Sequence, residues 1–537
     1  MWGVDVCRLP ATGGSMFVVV AGVFLVVAGV IVTRWVRQSA GRMSFVATPL
    51  VLLGGLVLAP SATNPCSPSS TAAPTTSIVS MTTVAPTSTV VPVSPNLVLE
   101  IDTALAPPVQ NDSVSAASEN FVIELGFLGD VDVQIDWGDG STDNVSVAGS
   151  VAHTYAMSGE YIITISGSLT GFGQNPADDV RSLMGAHYLK AVRSFGELGI
   201  TSLSFAFLGS INLIEVPSNL PSSVTNVLRM FSGATSFNGD VSGWDMSAVT
   251  NMSYMFSYAS SFNQNLNSWD TSLVTDMSSM FSGAWSFNGD VSGWDTSEVT
   301  DMSSMFQGAS SFNGDVSAWD TSEVTDMRYM FNGAESFNQS LNSWDTGLVT
   351  NMSHMFGDAT SFNQILNSWD TGLVTNMSWM FIRAESFNQS LNSWDTGLVT
   401  DMSLMFSGAS SFNQSLNSWD TGLVTNMSFM FRNATNFNQS LGDWDISSAG
   451  NMEDMLNGSA LSVSNYDATL IGWADFQQAK QSNVTLGASG LYFSNNGSAA
   501  HSELTGCNSR WQINDAGVQG IAPSSLKADS QLVSVSC

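Results

Sequence analysis

Between residues 231 and 456 large apolar residues return at one fixed step. Trp244, Trp269, Trp294, Trp319, Trp344, Trp369, Trp394, Trp419 and Trp444 stand 25 residues apart, and each is followed by Asp. Phe231 through Phe431, Phe237 through Phe437 and Met252 through Met452 keep the same step. One globular core does not demand such regularity. A stack of near-identical coils does, because every residue then lies over its copy and repeated apolar positions become shared columns. The unit reads V-T-(N/D)-M-S-x-M-F-x-x-A-x-x-F-N-x-x-(L/V)-x-x-W-D. It predicts a short strand over Val249 to Phe256 and its copies. It also predicts an asparagine-rich return in which Asn238, Asn263 and Asn288 bond along the stack. Open ends of such a stack would aggregate, so atypical end units are expected: degenerate capping repeats over 190–230, and a C-terminal cap and tail over 457–537.

Upstream, the period changes to two. Val131, Val133, Ile135 and Trp137 alternate with Asp132, Gln134 and Asp136, the pattern of a half-buried strand. Further strands are expected at Leu97 to Ile101, Phe121 to Leu125, near Val145 and at Tyr161 to Ile165, which together predict a small β-sandwich over 97–175. Before it, 63–96 is almost entirely Ser, Thr, Pro, Ala and Val without any apolar period, and reads as an extended stalk. The segment 1–62 carries two apolar runs, 16–33 and 44–59, separated by Arg34, Arg37 and Arg42. Either both runs span a membrane as a hairpin with the arginines in the cytoplasm, or the second run ends a secretory signal whose start lies downstream of Met1. Both readings place everything beyond residue 62 outside the membrane.

A 25-residue unit is too short for a propeller blade, so the Trp-Asp pairs do not mark that fold, whereas leucine-rich repeats take 20 to 29 residues. The expected fold class is mainly β: a leucine-rich-repeat-like parallel solenoid preceded by the sandwich. Two stretches of sequence carry resemblances. Asp136-Trp-Gly-Asp-Gly140, His153-Thr-Tyr155 and Gly159-Glu-Tyr-Ile-Ile-Thr-Ile165 resemble the PKD domain, an immunoglobulin-like module. The units VTDMSSMFSGAWSFNGDVSGWDTSEVTDM and SLNSWDTGLVTNMSFMF resemble BspA-like leucine-rich-repeat surface proteins. Asn465-Tyr-Asp-Ala-Thr-Leu-Ile-Gly-Trp473, followed by Val484-Thr-Leu-Gly-Ala-Ser-Gly490, is similar to the segment that closes such arrays. The resemblance implies a surface or secreted protein with an adhesive or host-binding role, an extracellular protein or glycan as partner, and no catalysis.

Charge excludes more than it suggests. With 14 basic against 45 acidic residues the net charge is −31, which leaves no electrostatic grip on nucleic acid. The region 231–456 holds 24 acidic and 3 basic residues. Asp-Thr-Gly at 345–347, 370–372, 395–397 and 420–422 is also an aspartic-protease tripeptide. Its recurrence at one point of the unit, alternating with Asp-Thr-Ser and Asp-Met-Ser, points instead to a turn-capping aspartate. The histidines, His153, His187, His354 and His501, are scattered, and no catalytic, metal or cofactor site is read from the chain. An EF-hand at Asp136 would need an acidic residue where Val147 stands. Of four cysteines, Cys507 and Cys537 are the candidate disulfide, with Cys7 and Cys66 left without an evident partner.

The near-copies also reveal which positions the stack does not dictate. Two residues before the phenylalanine of each Met-Phe pair stand Tyr254, Ser279, Ser304, Tyr329, His354, Trp379, Leu404 and Phe429. Tyr254, Tyr329, His354, Trp379 and Phe429 are therefore expected as an exposed binding ridge, set against drift at a half-buried strand position. A threonine row, Thr250 through Thr425, and the aspartate rows offer an alternative surface for carbohydrate, calcium or ice. Asn144, Asn351, Asn376, Asn388, Asn413 and Asn483 open glycosylation sequons.

Overall fold

The computed structural model describes residues 94–106, 121–174, 183–475 and 481–520. The chain divides into Met1–Ser88 and Thr89–Cys537, and all described residues belong to the second unit. The apolar runs 16–33 and 44–59, nearly all of the stalk, and Cys537 lie outside the described residues. Among the described residues, no helix is long and apolar enough to cross a membrane.

Strands come first. β1 (Leu97–Asp102), β2 (Phe121–Asp136), β3 (Thr142–Val145), β4 (Gly149–Tyr155), β5 (Glu160–Phe172) and β6 (Leu189–Phe195) form one open sheet of order β3-β2-β5-β1-β6, with β4 also on β2. The alternation that predicted β2 is the reason it forms: Val131, Val133 and Ile135 face the core while Asp132, Gln134 and Asp136 face water. A register shift between Leu128 and Val131, with Gly129 at φ 68°, divides β2 so that its first half pairs β4 and its second half β3. The sequence assigns 190–230 to capping repeats, but Leu189–Phe195 pairs antiparallel with β1 at the sheet edge. Its apolar residues are buried with the sheet's core, which draws it there.

The end of β5 passes directly into the repeats. The Phe172 amide donates to the Ser202 carbonyl at 3.0 Å, and Gly171 bridges Ser202 in parallel. From Ser202 the bridging continues one residue per unit, Asn226, Asn251, Asp276 and onward to Asn451. The strand expected over Val249 to Phe256 is corrected: it is a single bridge at Asn251, followed by consecutive turns. Alternate amides explain the difference. Those of Met252, Tyr254, Phe256 and Tyr258 donate to carbonyls of the next unit, whereas those of Met255 and Ser257 close local turns onto Met252 and Tyr254. With the Ser253 amide on Asn251 Oδ1, all the amides from Met252 to Tyr258 are bonded without an extended run.

Inside, the expected columns are present. Trp269 and Trp294 stack at 6.1 Å with ring planes 1° apart, Phe256 and Phe281 at 5.7 Å, and Phe262 and Phe287 at 6.0 Å. The column methionines are fully buried. Each aromatic contributes about 1.5–3 kcal/mol by leaving water, and neighbouring copies share that burial. In the column from Trp269 to Trp444 each indole N–H donates to a carbonyl 28 residues back, as Trp369 does to Leu341 at 2.9 Å. The asparagine ladder forms as the spacing predicts: the Asn263 amide donates to Asn238 Oδ1 at 2.9 Å, and this recurs up to Asn438 on Asn413.

The last coil is covered by a helix that repeats a coil's bonds. α1 (Val463–Asp475) brings the Trp473 indole to the Leu441 carbonyl at 2.9 Å, the Ser462 amide to Asn438 Oδ1 at 2.7 Å, and Asn465 Nδ2 to the Asn438 carbonyl at 2.6 Å. Contact is close enough that a Cβ on Gly472 would stand 2.2 Å from the Gly442 carbonyl oxygen. Beyond it, β7 (Thr485–Gly487) bridges Met452 and pairs in parallel with β8 (Gln512–Asn514), with α2 (Ser498–Thr505) between them. One hydrophobic core runs from Leu97 to Trp511.

Candidate functional site

The variable residue of each unit occupies one defined backbone place. Phe205, Arg229, Tyr254, Ser279, Ser304, Tyr329, His354, Trp379, Leu404, Phe429 and Asp454 all have φ between 52° and 63°. Non-glycine residues in this left-handed region cost roughly 1–2 kcal/mol each. The amide bonded to the next unit, such as Tyr254 to the Ser278 carbonyl at 2.9 Å, holds them there. Because the backbone direction is identical in every unit, successive side chains project alongside one another.

Their placement differs from the exposed ridge the sequence suggests. Tyr254, Tyr329, His354, Trp379 and Phe429 are each half-buried; from Tyr329 to Trp379 the rings of adjacent units cover one another's faces, and arginines lie against Tyr254 and Phe429. Tyr329 stacks on His354 at 4.2 Å and His354 on Trp379 at 4.9 Å, with planes 17° and 13° apart. Ring edges, rather than faces, meet solvent over this stretch. His354 Nδ1 is buried without a hydrogen-bond partner, and burial holds the imidazole pKa below its ordinary value against the opposing pull of Asp358. Phe429 lies 5.4 Å from the Arg432 guanidinium. Arg229, absent from the residues singled out by spacing, extends the column: its guanidinium carbon lies 4.0 Å from the Tyr254 ring and 5.8 Å from that of Phe205. It was hidden because the units before Phe231 lose the aromatic and tryptophan markers.

The aspartate and threonine rows are largely occupied by the stack itself. Asp345, Asp370, Asp395 and Asp420 accept the amide two residues on, each at 3.0 Å, as turn-capping carboxylates do. The buried Thr346 hydroxyl donates to the Asp370 carbonyl at 2.7 Å, and the same bond recurs along the array. The Asp-Thr-Gly tripeptides are therefore built into the coil-to-coil bonding. Hydroxyls of the exposed row from Thr250 to Thr425 donate weakly to the preceding unit's threonine carbonyl, Thr425 to Thr400 at 3.2 Å. Of the sequon asparagines named above, Asn351, Asn376, Asn388 and Asn413 cap turns or sit in the ladder, whereas Asn144 and Asn483 are exposed.

In the sheet, Asp136 to Gly140 form a turn. Asp136 accepts the Gly138 amide at 2.9 Å, and His153 Nε2 lies 2.9 Å from Asp139 Oδ2. His153 stacks on Trp137 at 4.6 Å, and the buried Tyr155 hydroxyl donates to the Trp137 carbonyl. The Ser141 hydroxyl, with the Ser141 amide and His153, pulls Asp139 down to about 2. Among the described residues no three His, Cys, Asp or Glu side chains are grouped to hold a metal ion. Cys507 is disulfide-bonded, with its partner outside the described residues.

No curated protein and no solved structure matches the chain. Three overlapping stretches, residues 201–298, 275–372 and 362–469, match one family model, described as Mycoplasma protein of unknown function, DUF285. The matched region opens beside Ser202, where bridging between units begins, and closes inside α1, whose bonds imitate a coil. Together the three stretches take in half of the chain, and the chain belongs to the DUF285 family.

Proposed function

We propose that the chain is a non-enzymatic repeat protein that presents an extracellular recognition surface. The array reads as a solenoid of the BspA-like leucine-rich-repeat kind, and the N-terminal sheet as a PKD-like, immunoglobulin-type module that closes its first coil. Anchorage or export falls to the apolar runs before residue 62, and a Cys507–Cys537 bridge closes the tail. The supporting observation is the left-handed column: a place fixed in backbone and free in side chain, filled by Tyr254, Tyr329, His354, Trp379 and Phe429. A scaffold that holds its backbone rigid while varying one surface position suits recognition. The partner in this reading is an extracellular protein or glycan. In the alternative surfaces, aspartate and threonine rows binding carbohydrate, calcium or ice, the aspartates already cap turns within their own units and the threonine hydroxyls bond between units.

Cell-binding and glycan arrays probed with the purified protein, with and without EDTA, test the reading. Tyr329→Ala and Trp379→Ala should weaken retention while unfolding stays cooperative. Retention that disappears with EDTA and ignores both substitutions would transfer the function to the carboxylate rows.

A further inference from the structure

We infer that a row of exposed leucines, Leu348, Leu373, Leu398 and Leu423, with the aspartates beside it, docks an amphipathic cationic helix of a partner protein. This goes beyond the recognition reading above, which rests on other residues.

The row is set by the coil. At this point four consecutive units read Asp-Thr-Gly-Leu-Val-Thr. Thr346, Val349 and their copies are buried, and the leucine between them is turned outward: the four are 44%, 48%, 47% and 51% exposed. Both flanks are tied to the neighbouring unit. Thr346 Oγ1 donates to the Asp370 carbonyl at 2.7 Å, the Thr375 amide donates to the Thr350 carbonyl at 3.0 Å, and both bonds recur along the row. The leucines therefore stand in register at the spacing of bonded strands, ~4.8 Å, and the four span ~14 Å. The stack does not require them, since Ala248, Leu273, Glu298, Glu323 and Ser448 hold the same place in other units while the valine column from Val249 to Val424 stays buried. A single exposed leucine is ordinary; four in file form one apolar stripe.

Charge says what covers it. The same four units change at a second position, where Gly347, Gly372, Gly397 and Gly422 stand in place of serine. In earlier units Ser247, Ser272 and Ser297 donate their hydroxyls to Asp245, Asp270 and Asp295 at 2.6 to 2.7 Å. Glycine brings no hydroxyl, and Asp345, Asp370, Asp395 and Asp420 accept its amide at 3.0 Å. All four aspartates are exposed, and among the described residues no cation pairs with them. Arg383, the one Lys or Arg between Arg328 and Arg432, pairs with Asp358 at 3.0 Å. Each exposed leucine thus has an exposed carboxylate three residues before it, still lacking a counter-ion. The complementary ligand carries apolar side chains in file with cations alongside. A second copy of this chain, at net charge −31, has no basic row to offer, and an anionic bilayer is repelled.

Spacing selects a helix. Its pitch of ~5.4 Å departs from the ~4.8 Å row by only ~2 Å over three steps, so one apolar residue per turn meets each leucine and one Lys or Arg per turn meets each aspartate. Same-face side chains of a strand recur at ~6.6 Å and fall ~5 Å out of step over the same distance. Laying an apolar helix face on such a surface is an established mode of peptide recognition.

The test uses the full-length protein and fluorescent Leu/Lys peptides of ~14 residues, read by anisotropy. One peptide carries its leucines on a single helical face, a scrambled peptide of the same composition does not, and a third has glutamate for every lysine. The patterned Leu/Lys peptide should bind about tenfold more tightly than the scrambled one, and the glutamate peptide should not bind. Leu373→Ser with Leu398→Ser should remove that preference while unfolding stays cooperative. Asp370→Asn with Asp395→Asn keeps the turn-capping oxygens and should weaken binding about tenfold at low salt, with the difference shrinking at high salt. Leu273→Ser, outside the row, and Trp379→Ala, in the left-handed column, should leave binding unchanged. Equal binding of patterned and scrambled peptides, no binding of either, binding of the glutamate peptide, or an undiminished preference in the double-serine variant would each overturn the helix. Leucine-dependent dimers in sedimentation, or leucine-dependent binding to phosphatidylcholine vesicles in place of the peptide, would give the row to a second copy or to a membrane instead. Binding lost with Trp379→Ala and kept in the double-serine variant would sink the row while leaving the column's recognition role standing.

Discussion

The Trp473 indole donates to the Leu441 carbonyl at 2.9 Å, the bond that each coil tryptophan makes to the unit before it, although Trp473 sits on a helix 29 residues beyond Trp444. α1 thus closes the array by supplying a coil's contacts on a backbone that offers no further bridge. Trp473→Ala should destabilise the protein by about 3–5 kcal/mol, the usual cost of emptying a buried tryptophan site. Nearest-neighbour coupling in a repeat array localises the loss. Hydrogen exchange should quicken first in 431–456 and little in β2 and β5; uniform acceleration would deny α1 its capping part.

The asparagine ladder makes a sharper demand, because each side chain serves a backbone group of the next unit. Asn338 Oδ1 accepts both the Asn363 amide at 3.0 Å and Gln364 Nε2 at 3.0 Å. Asn338→Leu keeps the volume and removes the acceptor, at an expected cost of about 1–3 kcal/mol. Urea unfolding measures it, and a change under 0.5 kcal/mol would mean water replaces the ladder at no loss.

Much of this was legible in the residues. The 25-residue step identified stacked units, and the fixed Trp, Phe and Asn positions identified their columns, because a stack turns every repeated residue into a self-contact. The period-two alternation located β2. What the pattern could not carry was backbone conformation. Tyr254, Trp379 and Leu404 are poor left-handed residues by any propensity, so nothing in their identity signals φ above 50°, and the segment read as a strand. Exposure of the same residues was misjudged because variability marks freedom from the core, and side-by-side rings cover one another without entering it. β6 was missed because Leu189–Phe195 finds its partner, β1, about ninety residues earlier in sequence.

Acid sensitivity of the N-terminal sheet should trace to Asp139. Its pKa is lowered from 3.8 to about 2, chiefly by the Ser141 hydroxyl, so the folded state favours the carboxylate. That stabilisation is present above the unfolded value and is lost as pH falls from about 4 through about 2. Asp139→Asn should flatten the pH dependence of denaturant midpoints in that window and leave it unchanged above pH 5. An unaltered acid limb would remove Asp139 from the turn's stability.

At His354 the sign is opposite in origin but alike in direction. Burial lowers the pKa below the ordinary 6.5, so the unfolded chain binds the proton more readily. Stability is present above the unfolded value and declines as pH falls below about 6.5 towards the folded pKa. Replacing His354 by Phe keeps a ring between Tyr329 and Trp379 and should abolish that decline. A variant whose stability still falls between pH 6.5 and 5 as the parent's does would place the titration elsewhere.

Ser304→Gly separates backbone strain from side-chain contact in the left-handed column. Ser304 sits at φ 57°, with its amide held by the Arg328 carbonyl at 2.9 Å, and glycine adopts that conformation without the steric penalty. Relief of about 1–2 kcal/mol opposes about 0.5–1 kcal/mol for the greater freedom of glycine in the unfolded chain. The substitution should therefore raise stability by about 0.5–1 kcal/mol, against the usual effect of introducing glycine. A destabilised Ser304→Gly protein would show that the serine side chain, rather than the amide ladder, holds the backbone in its left-handed turn.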